Sequence, residues 1–179
     1  MGDKPPTKFH TSIHIAALDG IVHVNSLFTL AVFVGLAWDP SDPNNRLVED
    51  PLCAAGNDVA ADLITFHVFS FSSFLFSSLV ALGLKQALRM VQTTHLHVFT
   101  LDMAHVNKTA LRVGYLVSAA GSVSGCLFLM MALVDVVQIK LGTLSCGSSL
   151  SYGAIVPLMV LVPCGLSIYV CFVLHAFAC

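Results

Sequence analysis

The hydrophobic and polar positions of this chain are segregated into long segments. Residues 21–38, 63–84 and 113–134 contain no Asp, Glu, Lys or Arg, and a fourth uncharged segment follows Lys140. An α-helix rises about 1.5 Å per residue, so each segment is long enough to cross a hydrocarbon core about 30 Å thick. The pattern predicts an all-α, polytopic membrane protein with four transmembrane helices.

The polar segments between these runs set the limits of the predicted spans. Prolines and asparagines recur through residues 40–51, which excludes a regular helix there. Pro157 and Pro163 lie inside the fourth span, where we expect them to kink the helix. The sequence thus predicts one domain, residues 1–179, with spans 16–38, 59–84, 111–137 and 154–177, outer loops 39–58 and 138–153, and a cytosolic loop 85–110.

The distribution of Lys and Arg predicts the orientation of the spans. Arg46 and Lys140 lie on the predicted outer side, and the other six basic residues lie on the opposite side. Those six are Lys4, Lys8, Lys85, Arg89, Lys108 and Arg112. The positive-inside rule then places both termini in the cytosol. The sequon at Asn107 argues for the opposite orientation, but it lies almost against the third span, where a glycosylating enzyme has little room.

Composition narrows the function classes. The chain is 56% hydrophobic and 10% charged, with a net charge of −2, whereas soluble domains carry about 25% charged residues. This balance predicts the lipid bilayer as a partner and excludes a nucleic-acid footprint. No nucleophile elbow, P-loop, metalloprotease or dinucleotide motif occurs, so we expect no enzyme, no cofactor and no metal site.

Two cysteines occupy the predicted outer loops, Cys53 in the first and Cys146 in the second. Outer loops of a protein in the secretory pathway or plasma membrane face an oxidising compartment, which favours a disulfide between them. The alternative is a pair of free thiols whose Cα atoms lie beyond bridging distance. The cysteines within the spans are interpreted as small packing residues.

Small residues recur along the third span. Gly121 and Gly125 form a GxxxG motif, and Gly114, Ser118 and Ser122 form a parallel stripe. Such residues allow close approach of helices in lipid, where no hydrophobic effect drives helices together. The stripe predicts helix packing, against an internal helix or against another subunit.

Four polar residues lie within or beside the spans. Asp19 and His23 are four residues apart on one helical face and could form an ion pair or a proton-linked couple. The alternative is a solvated Asp19, with His23 and Asn25 bonded to a neighbouring helix. His67 and Asp135 lie at similar predicted depths, where a bond between them would lock two helices together.

Two segments resemble a family of small plant membrane proteins, some of which are labelled "maternal effect embryo arrest". They read SIHIAALDGIVHVNSLFTLAVFVGLAW and CAAGNDVAADLITFHVFSFSSFLFSSLVALGLK, and their most specific parts are ALDGIVHVNSLFT and FLFSSLVALGLK. The resemblance covers most of the chain and implies a four-span plant protein. It carries over no catalytic or binding residues, and the family has an acidic residue where this chain has His67.

The sequence predicts a non-enzymatic membrane protein that acts as a scaffold, adaptor or accessory subunit of a membrane complex. Its partner would be another membrane protein or a second copy of the chain. The alternative is a small oligomeric channel or transporter. Only the pair of Asp19 and His23 and the serines of the second span, FHVFSFSSFLFSS, support that alternative.

Overall fold

A computed structural model describes residues 7–37, 47, 53–94, 108–147 and 149–178. Four long helices make up most of these residues: α1 (Thr7–Ala37), α2 (Asn57–Thr94), α3 (Lys108–Leu141) and α4 (Ser149–Ala178). Each of the four is long and apolar enough to cross a membrane. The predicted all-helical architecture with four candidate spans is therefore confirmed.

The helices extend beyond the predicted spans at most of their ends. α2 continues ten residues past position 84, and α4 begins at Ser149 rather than at residue 154. The uncharged runs mark the apolar part of each helix. Backbone hydrogen bonding continues through flanking Lys, Arg and Gln, which are good helix formers. Most of the first predicted outer loop lies outside the described residues. So do Lys4 and residues 95–107 of the predicted cytosolic loop, which include Asn107.

The hairpin of α2 and α3 forms the centre of the bundle. These two helices share the largest interface, α1 packs against α2, and α4 packs against α3. One buried apolar cluster joins α1, α2 and α3, and Tyr169 of α4 packs against its edge. The cluster consists of Leu18, Ile21, Ala81, Tyr115 and Ala119.

The predicted disulfide between Cys53 and Cys146 is confirmed. The two Cα atoms are 5.8 Å apart, and 93 positions separate the residues in sequence. The bond ties the segment before α2 to the 3₁₀-helix Leu144–Cys146, which connects α3 with α4. The Thr143 amide also donates to the Cys53 carbonyl at 3.0 Å, so backbone and side chains hold the same junction.

The end of α3 is closed by hydrogen bonds beside this disulfide. Gly142 adopts a φ of 96°, the left-handed conformation that glycine accepts most readily after a helix. Its amide donates to the Gln138 carbonyl at 3.0 Å, and the Leu47 amide donates to the Lys140 carbonyl at 3.0 Å. The Ser151 hydroxyl lies 3.2 Å from the Leu141 and Gly142 carbonyls. The connection to α4 is therefore compact.

α4 lies at the periphery of the bundle. In its most apolar stretch only 6% of residues are buried, against 44% for α3. The helix is continuous through Pro157 and Pro163. Ser167 donates to the Pro163 carbonyl at 2.7 Å, the bond to the carbonyl four residues earlier that serine often makes within a helix. The bundle thus has a packed core of three helices and one loosely held fourth helix.

Candidate functional site

Asn25 is the centre of a buried polar cluster that joins three helices. It lies at the middle of the apolar stretch Ile15–Gly35 of α1 and is only 1% exposed. Its Nδ2 atom donates to the Ser77 hydroxyl of α2 at 2.8 Å, and the Ser122 hydroxyl of α3 donates to its Oδ1 atom at 2.9 Å. The Ser77 and Ser122 hydroxyl oxygens are 2.8 Å apart, so the three side chains form one compact cluster.

Further serine hydroxyls bond across the contact between α2 and α3. Ser77 donates to the Ser118 carbonyl at 2.6 Å, and Ser118 donates back to the Ser77 carbonyl at 2.9 Å. Ser70 donates to the Gly125 carbonyl at 2.8 Å. These hydroxyls face the partner helix, and each joins two helices directly.

The glycines of α3 lie against α2. A Cβ atom on Gly121 would lie 3.0 Å from Ser77 Cβ, and one on Gly125 would lie 2.8 Å from two ring carbons of Phe74. A Cβ atom on Gly114 would lie 2.8 Å from a methyl group of Leu84. The structure therefore uses the small-residue stripe for packing within the chain.

Asp19 and His23, which the spacing allowed to form a couple, do not bond to each other. Asp19 instead forms an ion pair with Lys85 of α2, and His23 is exposed. The long Lys85 side chain, 16% exposed, reaches Asp19 across the gap between α1 and α2. Asp19 therefore joins two helices, which neither sequence interpretation described. Of the alternative interpretation, the bond from Asn25 to a neighbouring helix is observed.

A hydrogen bond between His67 and Asp135, which their similar predicted depths allowed, is also absent. The His67 ring nitrogen Nδ1 lies 2.8 Å from the carbonyl of Leu63, one turn earlier in α2. Its Nε2 atom lies 2.7 Å from where Gly35 would carry a Cβ atom, so the ring packs against α1. The His67 ring thus packs against the first helix and makes no hydrogen bond to Asp135.

Asp135 is buried near the C-terminal end of α3. Its Oδ1 atom accepts a long hydrogen bond, 3.4 Å, from Gln138 one turn later. Its Oδ2 atom has no hydrogen-bond partner among the described residues. Within those residues, no three His, Cys, Asp or Glu side chains converge as metal ligands.

A lateral cleft of about 700 Å³ opens between α1 and α4 beside the polar cluster. Its walls are apolar and include Phe28 of α1 and Leu161 and Phe172 of α4. Asn25 and Ser122 form part of its floor. Clefts of about 300–1,000 Å³ with apolar walls and few polar groups are typical of ligand sites.

The central role of Asn25 had a signal in the sequence. An amide in the middle of an apolar run is costly unless it is bonded, so it marks a helix contact. Ser70 and Ser77 are seven residues apart, and Ser118 and Ser122 are four apart, which places each pair on one helical face. The spacing could have identified the faces. The spacing could not have shown that Asn25 bonds to the serine faces of both α2 and α3.

No family model matches this sequence, and comparison with curated proteins and with solved structures gives no match.

Proposed function

We propose that this chain is a non-enzymatic, multi-pass membrane protein that acts as a scaffold, adaptor or accessory subunit. In this proposal it binds a transmembrane helix of a partner membrane protein through the outward surfaces of α2 and α4. The observation that carries the proposal is a difference between two groups of glycines. At some, a neighbouring helix of the chain occupies the space where a side chain would lie. At others, that space is empty.

The glycines whose side-chain space is occupied by another helix belong to the packed core. Gly35, Gly114, Gly121 and Gly125 each have atoms of another helix within 3.0 Å of an added Cβ position. They use the close approach that a missing side chain permits.

Gly83 of α2 and Gly153 of α4 have none of the other described helices beside them. Both are exposed, and an added Cβ atom would meet nothing within 4 Å. Glycine inside a helix costs about 0.5–1 kcal/mol relative to alanine. A helix from a partner would use these positions as α2 uses the glycines of α3.

The low burial of α4 supports the same function. Its outward side is apolar along its length, with Leu150, Tyr152, Val156 and Val160 all more than two-fifths exposed. Transmembrane association depends on packing and hydrogen bonds, because lipid is as apolar as these side chains. A helix with few internal contacts has most of its surface available for a second protein.

Two further aspects of the proposal concern location. The confirmed disulfide favours an oxidising compartment, so we place the protein in the secretory pathway or plasma membrane with the Cys53–Cys146 end outside. The six basic residues of the opposite side support cytosolic termini. A plant origin follows only from the family resemblance.

The alternative function, a channel or transporter, has less support. Its two sequence features were the pair of Asp19 and His23 and the serines of α2. Asp19 is paired with Lys85, and the buried serines bond to Asn25 or to α3. Reconstitution in liposomes tests it directly: a selective ion flux that Asp19→Asn abolishes would support transport and contradict the accessory function.

Affinity capture in mild detergent tests the accessory function. We expect one dominant membrane-protein partner at fixed stoichiometry, and we expect Gly153→Leu to reduce its recovery because the new side chain fills the contact. Gly165→Leu is the matched control, since Gly165 is also open but lines the cleft on another part of α4. Recovery of only a second copy of the chain, or equal recovery with Gly153→Leu, would contradict the proposal.

A further inference from the structure

We propose that the cleft between α1 and α4 retains one acyl chain of an anionic glycerophospholipid, taken from the leaflet at the C-terminal end of α4. This proposal concerns a lipid ligand and does not depend on the protein partner proposed above. It stands on the length of the cleft, the chemistry of its walls and the residues at its mouth.

The length of the cleft matches one leaflet. On α1 its wall extends from Ala17 to Phe28, and on α4 it extends from Leu161 to Phe172. Each wall covers eleven helical steps, or about 16 Å at about 1.5 Å per residue. Half of a hydrocarbon core about 30 Å thick is about 15 Å. The cleft therefore has the length of a chain that enters from one side and ends at the midplane.

The walls suit a hydrocarbon chain. They consist largely of aliphatic and aromatic side chains, among them Ile21, Phe28, Leu161, Leu166 and Phe172. The polar groups at the inner end are already bonded to one another: Asn25 bonds to Ser77 and to Ser122. A methyl-terminated chain requires no further polar partner at this end. A ligand with a polar tail would have to break one of these bonds to gain a partner.

The mouth of the cleft, at the end with Ala17 and Phe172, has side chains that can bind a polar lipid head group. Tyr169 lines this end, is half-buried, and its hydroxyl has no hydrogen-bond partner within the described part of the chain. A lipid ester carbonyl would accept from this hydroxyl. Tyrosine at a membrane interface commonly combines an apolar ring with a polar contact in this way.

Charge at the same end favours an anionic head group. Arg112 is exposed and stands one helical turn before Tyr115, which also lines the cleft. Lys85 lies at this end too, in its ion pair with Asp19. Arginine binds phosphate oxygens with two parallel hydrogen bonds, so Arg112 provides a phosphate partner beside the mouth.

The cleft glycines supply a clean test. Gly165 lines the cleft, and an added Cβ atom there meets nothing within 4 Å, so we expect the side chain of Gly165→Leu to occupy part of the cleft. Gly153→Leu adds the same side chain to the same helix outside the cleft. Both variants should fold, which a monodisperse elution profile and an intact disulfide will verify.

The experiment uses the full chain in membranes with phosphatidylserine that carries a diazirine at the end of one acyl chain. We expect light-dependent labelling in the native protein and in Gly153→Leu, and its loss in Gly165→Leu. Tyr169→Phe, which removes only the hydroxyl, should reduce labelling. Mass spectrometry should locate the chain-end label on residues near Phe28 and Leu161.

Several outcomes would overturn the proposal. Equal labelling in Gly165→Leu and Gly153→Leu would show non-specific lipid contact. A chain-end label near Phe172 would reverse the direction of the chain. Competition by a sterol or a free fatty acid, but not by unlabelled phosphatidylserine, would assign the cleft to another ligand. If partner capture failed while lipid labelling was unchanged, the proposed accessory function would be contradicted and the lipid proposal would stand.

Discussion

Asn25 shows how one residue can specify the packing of several helices. A polar group left unbonded in hydrocarbon costs several kcal/mol, so its partners must come from within the protein. The Asn25 amide provides a donor and an acceptor on adjacent atoms, and Ser77 and Ser122 use one each. Rotation of α1 or a shift along its axis would break both bonds. The cluster therefore favours one register of the bundle over slipped alternatives.

The cluster can be tested at Ser77. Ser77→Ala removes the hydroxyl that bonds to Asn25 and to the Ser118 carbonyl, so it leaves buried groups without partners. We expect the free energy of unfolding in detergent to fall by about 1–2 kcal/mol. The control is Ser72→Ala. The Ser72 hydroxyl is exposed and bonds only to the Val68 carbonyl of its own helix, so we expect no measurable change. Equal losses in both variants would contradict the role of the cluster.

At the scale of elements, the α2–α3 hairpin is built on close backbone approach. Gly125 lies beneath Phe74, whose side chain is fully buried. Phe74 in turn stacks on Phe28 of α1, with ring centroids 5.4 Å apart. A change at the α2–α3 contact is therefore transmitted to α1. The three core helices form one packing unit.

Gly125→Ala should disrupt this unit. Its Cβ atom would lie 2.8 Å from the Phe74 ring, so we expect a loss of about 1–3 kcal/mol in the free energy of unfolding, as for other overpacked cores. Gly83→Ala is the control, because its Cβ atom meets nothing within 4 Å. Alanine is the better helix former, so this variant should be neutral or more stable. A tolerant Gly125→Ala variant would show that Phe74 can repack.

The disulfide stabilises the two outer connections as a pair. Closing a loop of this length contributes about 4 kcal/mol in the chain-entropy model. Replacing Cys53 and Cys146 together by alanine should lower the free energy of unfolding by that order, measured without reductant. Cys164→Ala changes an exposed, unpaired thiol and should have no such effect. Native stability that is unchanged by reductant would contradict this contribution.

The sequence predicted some of these elements because their signals are local. Four uncharged runs predicted the four helices, and the only cysteines of the outer loops predicted the disulfide. The partners of Asp19, His67 and Asn25 depend on the rotation of each helix about its own axis. Lys85 lies 66 positions from Asp19, and only the alignment of α1 with α2 brings them level. Uniformly apolar helices carry little amphipathic signal to fix that rotation.

At the scale of the whole molecule, the chain combines a specified core with a weakly held fourth helix. Asn25, the serines and the glycines connect α1, α2 and α3. α4 is held by the disulfide connection at its start, by its packing against α3 and by Tyr169, which contacts the apolar cluster. The cleft lies beside this last attachment and is lined by Tyr169 itself. This division allows one part of the molecule to keep its fold while the other receives a lipid or a partner helix.

Two independent features support the orientation proposed above. The disulfide favours an oxidising compartment at the end that holds Cys53, and the positive-inside rule favours the cytosol for the Lys and Arg residues of the opposite end. We therefore expect a reporter sequon inserted within residues 40–50 to be glycosylated in microsomes. The native sequon at Asn107 should remain unmodified, so Asn107→Gln should not change electrophoretic mobility. A glycosidase-sensitive shift that disappears in Asn107→Gln would reverse the orientation, and the lipid of the cleft would then come from the outer leaflet.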